Sequence, residues 1–480
     1  MKSPVLLIDF GSTYTKAVAV DPKTAAVLGE SRVPSTVESD VGEGLVEALS
    51  LLHERHGVFS RRPDSLEVLE ECSALASSSA AGGLKMAVVG LVPGLTVEAA
   101  RAAALGAGAR LIGAWSFKLD EAALAEIESR RPDMILLTGG TDGGDSATIV
   151  HNARLLARSS LTAPVVLAGN RAAAGEVRSA FESVGKEVRV VANVMPRPGM
   201  LDVEPARQEI RRLFMEHIIR AKGLDRIRPW ISSVTPTPMA VLEGARIAAE
   251  AIGRGELLVV DVGGATTDVH SVGWGKAPGP GLVEAALPEP FAKRTVEGDL
   301  GIRCNARTIV ERVGWADFEG MLRAAFPQYP WSRERLAAYV DGVSRETARL
   351  PEEPWQEAVD AGLARAAVDL AVERHAGRRE RIVAREGEAW AYYGKDLSET
   401  RTVVGTGGIF VYNPYAAYIL GGAPDRSRRA QVLRPANPEL YADSSYLLYA
   451  AGLLSQSHPE AASRIFLSST KRLAPLQAGL

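Results

Sequence analysis

Apolar and polar positions alternate along this chain with more than one period. Val5–Ile8 is an apolar run ending at Asp9, and after Gly11 the segments Ala17–Asp21 and Ala26–Val33 read as a second and a third strand. The period then changes. Val41, Leu45, Ala48, Leu49 and Leu52 fall at helical spacing over Val41–His56. Between about Leu66 and Pro196, short apolar runs at Lys85–Leu91, Met134–Thr138, Pro164–Ala168 and Val188–Ala192 alternate with Ala-rich stretches. Those stretches lie near Thr96–Leu105, Leu119–Arg130, Ala147–Ala157 and Ala172–Val184, and the alternation predicts a doubly wound parallel sheet. Val203–Lys222 is a helix by its Ile210, Leu213, Phe214 and Ile218 spacing, with Arg211 and Arg212 on its wet side. Pro236 and Pro238 then lead into an Ala-rich helix over Met239–Ile252. Trp315–Ala389 is rich in Trp, Arg and Glu with little strand signal, and reads as helical.

One stretch stands out against this background. Leu257–Val260 runs into Asp261, the pair Gly263 and Gly264, then Thr266, Thr267 and a second acid, Asp268. It reads as a β-hairpin whose glycine turn is flanked by one carboxylate on each side. Glycines let backbone N–H groups approach a ligand with no Cβ in the way. Amides and hydroxyls together suit a phosphate, and aspartates suit the magnesium that accompanies it. An ordinary hairpin turn uses the same residues. The N-terminus repeats the grammar: strand, Asp9, Gly11, then Ser12, Thr13, Thr15 and Lys16, then strand. A late element, Val403–Phe410, ends a strand in Gly405, Gly407 and Gly408.

Strand–phosphate loop, second phosphate loop and late glycine turn, in that order, resemble the actin, hexokinase and Hsp70 ATPase superfamily. The resemblance implies an α/β, two-lobed actin-like ATPase (ribonuclease H-like) fold, with the doubly wound α/β domain inserted in the first lobe. The expected boundaries are 1–62 for the first part of lobe I, 63–200 for the insert, and 201–255 for the end of lobe I with a hinge helix. Lobe II then takes 256–312, a helical insert 313–395, and its closing part 396–480.

Bulk properties narrow the chemistry. With 55 basic and 58 acidic residues among 480, the net charge is −3, which argues against nucleic acid as the principal partner. The two cysteines, Cys72 and Cys304, lie far apart. That fits a reducing cytoplasm and forms no Cys/His metal cluster. No signal-peptide pattern opens the chain, and no uncharged apolar run has membrane-spanning length.

Phosphoryl transfer to water rests on positioning and charge neutralisation. Asp9 and Asp261 are the expected magnesium pair, acting through water. Gly11, Ser12, Thr13, Thr15, Gly263, Gly264, Thr266 and Thr267 are the expected phosphate-binding set. Lys16 either neutralises phosphate or is a solvated strand-end lysine, and Asp268 orients or deprotonates the attacking water. Gly407 and Gly408 would pass against the adenosine. Glu297, in a Glu-Gly-Asp-Leu-Gly segment, either places an acid near the nucleotide or caps a helix. Asp443 opens a closing helix similar to the one ending many actin-like ATPase cores. Two further glycine loops, Thr138–Gly144 and Ser77–Gly83, read either as ligand contacts or as turns and connections, with Asp145 or Ser146 available to cap the helix after the first.

A closer resemblance is carried by Asp9–Lys16, Ser79–Met86, Leu136–Gly144, Asp261–Ser271 and Arg294–Gly301. Together these are similar to the glutamate mutase accessory family, MutL/GlmL type, from Ile8 to Gly408. The resemblance implies a chaperone-like ATPase, with ATP and magnesium as cofactors. Its client would be an adenosylcobalamin-dependent mutase, from which it exchanges damaged cobalamin. On that view the Leu66–Pro196 insert is a candidate client surface. A sugar or carboxylate kinase would share both phosphate loops but shows no acceptor motif. An iron–sulfur activator of 2-hydroxyacyl-CoA dehydratases would need a cysteine cluster, and a nucleotide-sensing scaffold would form filaments.

Overall fold

In the computed structural model of the chain, the opening apolar run forms β1 (Val5–Phe10), every residue of it buried. It pairs antiparallel with β2 (Tyr14–Asp21), which pairs antiparallel with β3 (Ala26–Pro34). On its other side β1 runs parallel to β4 (Ser73–Ser78). The helix Val41–His56 starts where Asp40 Oδ1 accepts from Gly42 N at 2.8 Å and stops at Gly57, whose φ of 63° a side chain would resist. Its Leu45, Ala48, Leu49 and Leu52 bury against β1 and β4 residues in one core.

The structure describes residues 4–11, 14–36, 39–78, 84–214, 216, 227–253, 255–276, 282–284, 287–384, 387–424 and 431–474. The chain divides into two units, Met1–Ala240 with Ala286–Pro290 and Val241–Ala285 with Phe291–Leu480.

After β4 comes a five-stranded sheet of β5 (Lys85–Val89), β6 (Arg110–Trp115), β7 (Met134–Leu137), β8 (Val165–Leu167) and β9 (Val188–Val190), in the order β6-β5-β7-β8-β9. All its pairings are parallel. Two separate apolar clusters cover its two faces, which explains the unbroken runs Met-Ile-Leu-Leu and Val-Val-Leu. The chain then returns through β10 (Ile231–Pro236), parallel to β4. The expected boundary at 63 therefore shifts. β4 lies inside the first sheet, between β1 and β10, and the strands of the insert begin only at Lys85. β4 reads Ser-Ala-Leu-Ala-Ser-Ser, too short in large apolar residues to announce a buried strand.

The second unit repeats the first plan. β11 (Leu257–Val262) pairs antiparallel with β12 (Thr267–Val272). The short β13 (Leu282–Glu284) joins another sheet, and β14 (Ala292–Glu297) pairs antiparallel with β12. Four helices follow, Ala306–Val313, Trp315–Ala325, Arg333–Arg345 and Pro354–His375. Then come a hairpin of β15 (Arg378–Ala384) and β16 (Gly387–Tyr393), and β17 (Thr402–Thr406), β18 (Glu439–Asp443) and β19 (Thr470–Arg472). The main sheet has the order β14-β12-β11-β17-β18-β19. In both units the first three strands are antiparallel and two more run parallel to the first, in the order third-second-first-fourth-fifth. That is the expected α/β class: an actin-like, ribonuclease H-like sheet in each unit, with a doubly wound domain inserted in the first.

Two expectations for 313–395 change. Helix Pro354–His375 is buried along most of its length and packs on β11, β12 and β14, so it is a layer of the second unit, not an appendage. Residues Arg378–Tyr393 are a β-hairpin; its first strand, Arg-Arg-Glu-Arg-Ile-Val-Ala, hides its period behind charge. The helix expected over Met239–Ile252 is observed as Thr237–Ala251, and the boundary between units falls within it, after Ala240. Its small residues do permit close packing, since a Cβ on Gly244 would lie 2.2 Å from Leu448 O. Among the described residues, no helix is long and apolar enough to cross a membrane.

Two histidines are fully buried in the second unit, His270 on β12 and His375 at the end of the long helix. Burial, reinforced by nearby Arg294 for His270 and by Lys293 and Lys395 for His375, holds both well below the ordinary 6.5. The unfolded chain therefore takes up protons below about pH 6.5 that the folded chain refuses. Stability should be full above that pH and fall below it, by up to about 1.4 kcal/mol per pH unit for each histidine. Urea midpoints at pH 7.5 and pH 5.5 check this, and replacing both histidines should flatten the difference.

Candidate functional site

The first loop is built by the β1–β2 turn. Gly11 N donates to Tyr14 O at 3.0 Å, and a Cβ on Gly11 would sit 2.7 Å from that oxygen, so a side chain there would push the turn open. Ser35 Oγ donates to Gly11 O at 2.8 Å and steadies the turn from β3's end. Asp9 lies opposite Lys16 and alongside Ser77 in register. Asp9 is 1% exposed, and its carboxylate accepts from Ser77 Oγ at 2.8 Å, Thr237 Oγ1 at 2.7 Å and Lys16 Nζ at 3.3 Å. A buried carboxylate survives only with such partners. Lys16 is therefore not a solvated strand-end lysine. Thr15 is buried beside the core, and Ser12 and Thr13 lie outside the described residues.

The β11–β12 turn has the same form, with Gly263 N donating to Thr266 O at 2.9 Å. Asp261 and Asp268 stand directly opposite each other in register, a like-charge pairing that needs a cation. Arg294 supplies one: its Nη2 and Nε reach Asp268 Oδ1 at 2.7 and 3.0 Å, while Thr266 Oγ1 donates to Oδ2 at 3.1 Å. Both partners are nearly enclosed, at 3% and 10% side-chain exposure. Thr267 is also enclosed, its hydroxyl donating to Leu300 O at 2.7 Å.

A second segment backs this turn. Ile302 N donates to Gly263 O at 3.1 Å, and Arg303 N and Cys304 N donate to Gly264 O at 2.9 Å. Asn305 Nδ2 bridges Ala265 O and Gly298 O. Gly301 passes so close that a Cβ there would lie 2.2 Å from the Ala265 carbonyl carbon. Arg303 is tied in turn to buried Asp360 at 2.6 and 3.1 Å, with Tyr339 OH on the same carboxylate at 3.1 Å. Glu297 is bound by Arg374, which also holds Asp299. Burial raises the Glu297 carboxyl above its usual range, whereas the Arg374 hydrogen bond lowers Asp299.

The late glycine turn meets Asp261. Gly407 has φ 107°, and a Cβ on it would lie 2.4 Å from Val262 O and 3.0 Å from Asp261 Oδ1, so only glycine fits. Around Gly408 the space is open. Asp443 is fully buried and accepts from Leu447 N, Leu448 N and Thr406 Oγ1 at 2.9–3.0 Å, which places it under the end of β17 and at the start of the helix Leu448–Leu454. Burial raises its carboxyl even against those bonds.

In the insert, Asn170 and Asn193 brace the Thr138–Gly144 loop by bonds to Gly143 N, Gly144 O, Gly140 O and Asp142 Oδ1, and Asp145 caps Thr148 N. These bonds suffice for the turn reading. Within the Ser77–Gly83 loop, Ser77 reaches Asp9, and 79–83 lie outside the described residues.

Sequence reasoning missed Ser77 and Thr237 as partners of Asp9, and Arg294 as the partner of Asp268. Thr237 sat between two prolines and Arg294 opened a quoted motif, but neither position reveals a contact made across the fold. Among the described residues no group of three or more His, Cys, Asp or Glu is arranged to hold a metal. A magnesium here would rely on nucleotide phosphates and water around a carboxylate such as half-buried Asp261, the usual habit of that ion.

A profile of the MutL protein family matches residues 5–470. The chain is 42% identical over 467 residues to Protein MutL of Clostridium tetanomorphum, covering 96% of this chain and 97% of that protein. Among solved structures it is similar to nucleotide-free acetone carboxylase at 15% identity and TM-score 0.43, over 95% of this chain and 70% of that one. It is also similar to component A of (R)-2-hydroxyglutaryl-CoA dehydratase from Acidaminococcus fermentans, at 11% identity and TM-score 0.30, over 97% and 99% of the two chains.

Replacing Arg294 by Met should leave Asp268 buried without its cation and cost about 3–5 kcal/mol of stability. Pairing it with Asp268→Asn should return most of that loss. Urea denaturation of the three proteins measures it, and equal midpoints for the single variant and the parent would contradict the ion-pair account.

Proposed function

This chain belongs to the MutL protein family, and on that premise we propose that it is an ATP-hydrolysing, chaperone-like reactivating factor. Its client is an adenosylcobalamin-dependent mutase of the glutamate mutase type. The observation that carries the ATPase part is the repeated turn: Gly11 N to Tyr14 O and Gly263 N to Thr266 O, each following a strand that bears an aspartate two residues before the glycine. Glycine turns of this kind present amides to phosphate. The turn amides of both loops, with the Thr266 hydroxyl, would hold phosphates, and Lys16 would add positive charge. Asp261, and Asp9 through water, would hold magnesium, which neutralises developing charge on the phosphates when bound. Asp268, fixed by Arg294, would orient the attacking water. Gly407 and open Gly408 would border the adenosine. Glu297, Thr267, Thr15 and Asp443 act as supports in this reading, since each is bound or enclosed by protein groups.

ATP-driven closure of the two lobes would supply the work of exchanging damaged cobalamin on the client, in the cytoplasm. The insert is the client-facing part in this scheme. Its support is position, outside both loops, and the half-exposed Phe117, held at φ 65° just past β6, a backbone conformation bulky residues rarely accept without a use.

Asp261→Ala should lower the rate of ATP hydrolysis by about two orders of magnitude or more, read by phosphate release under saturating magnesium and ATP. An unchanged rate would remove Asp261 from the metal site. Replacing the insert with a short linker should abolish mutase binding while nucleotide binding persists; retained mutase binding would move the client surface elsewhere.

A further inference from the structure

Each unit carries a row of three polar side chains near the ends of neighbouring strands, and the two rows are filled differently. In the first unit the row runs from Asp9 on β1 to Ser77 beside it on β4, then to Thr237, one residue past the end of β10. In the second it runs from Asp261 on β11 to Thr406 beside it on β17, then to Asp443 at the end of β18. A hydroxyl has one proton to donate. Thr406 spends its proton on Asp443 Oδ2 at 2.9 Å. Ser77 and Thr237 both spend theirs on Asp9, and on the same oxygen: Oδ1 accepts them at 2.8 and 2.7 Å.

The two oxygens of Asp9 thus have different surroundings. Oδ1 is turned into the protein, towards Ser77 and Thr237, which are both buried. Oδ2 has Lys16 Nζ at 3.3 Å and lies on the side of the glycine turn, 3.7 Å from where a Cβ on Gly11 would stand. Neither hydroxyl has much freedom to move. Ser77 sits in a strand paired on both sides, with β1 and with β10. Thr237 stands between Pro236 and Pro238, whose rings restrict the backbone around it.

Hydrogen bonds are directional, so two donors on one oxygen fix the rotation of the carboxyl group as well as its place. We propose that Ser77 and Thr237 are positioning residues for metal–nucleotide binding: they hold Asp9 so that Oδ2 faces the Gly11 turn and is presented to the water of a nucleotide-held magnesium. This rests on the function proposed above and adds to it two residues that act through Asp9. Partners of this kind, one step removed from a metal, orient the group that meets it. A hydroxyl that only offsets a buried charge affects stability. One that aims the carboxylate affects how far magnesium tightens nucleotide binding.

The test uses the full chain and isothermal titration with a non-hydrolysable ATP analogue, once with magnesium and once with EDTA in its place. The quantity read is the ratio of the two affinities. Thr237→Val, and separately Ser77→Ala, should lower that ratio by about tenfold, with the affinity in EDTA close to the parent's. Thr237→Ser keeps the donor and should keep the parent's ratio. Melting temperatures without nucleotide show which variants fold, and Ser77→Ala, which removes a single oxygen, carries the test if Thr237→Val does not. A parental ratio in a folded variant that lacks either hydroxyl, even one with a lower melting temperature, would make the hydroxyls partners of a buried charge only. That result overturns the inference and leaves the proposed function standing. So does a loss of affinity that is equal in magnesium and in EDTA, which would place the effect on the turn. A parent whose nucleotide affinity is the same with and without magnesium would remove the proposed metal site, and this inference with it.

Discussion

A carboxylate buried at the end of the first strand of a sheet is the constraint on which the first loop depends. Enclosing such a charge costs several kcal/mol unless the fold returns hydrogen bonds and a counter-charge. Asp9 receives these from three distant places in the chain: Lys16 on the next strand, Ser77 on β4 and Thr237 at the start of the helix that leads out of the first unit. Satisfying one carboxylate thus fixes the glycine turn, the parallel strand beside it and a helix start together. In the second unit the requirement is moved one strand over. Asp268 takes the buried ion pair with Arg294, and Asp261 is left half-buried against the Gly407 backbone.

That division gives the paired acids of the second loop different surroundings. Asp268 is held by Arg294 and Thr266, while Asp261 borders a backbone that has no side chain to shield it. The segment Gly298–Asn305 makes the arrangement stiff, because backbone meets backbone at Gly301 and Ala265 and the Arg303–Asp360 pair anchors it to the long helix. On the function proposed here, a turn held this way would need little rearrangement as charge develops on a phosphate, which is what electrostatic preorganisation requires.

Much of this was legible in the sequence. The strands at Val5 and Leu257, the helix Val41–His56 and the alternating insert follow from apolar period alone, because each buries one or both faces of a regular element. The matched Asp-x-Gly turns were visible as repeated wording. What the sequence concealed was of two kinds. β4 and the β15–β16 hairpin escaped notice because small residues in one and charges in the other mask the strand period. The partners of Asp9 and Asp268 were hidden because a hydrogen bond between residues 9 and 237, or 268 and 294, leaves no local trace. Helices do fill most of Trp315–His375; that Pro354–His375 packs as a layer of the second unit was concealed, because a helix buried along most of its length has too weak a polar face to show where it packs.

The central proposal is that both glycine turns are needed for nucleotide binding. Isothermal titration of the full chain with a non-hydrolysable ATP analogue and magnesium measures it most directly. The account predicts one nucleotide bound per chain, with affinity lost both when Gly11 and when Gly263 is replaced by Val. Two nucleotides per chain, or binding that survives the change in either turn, would contradict it.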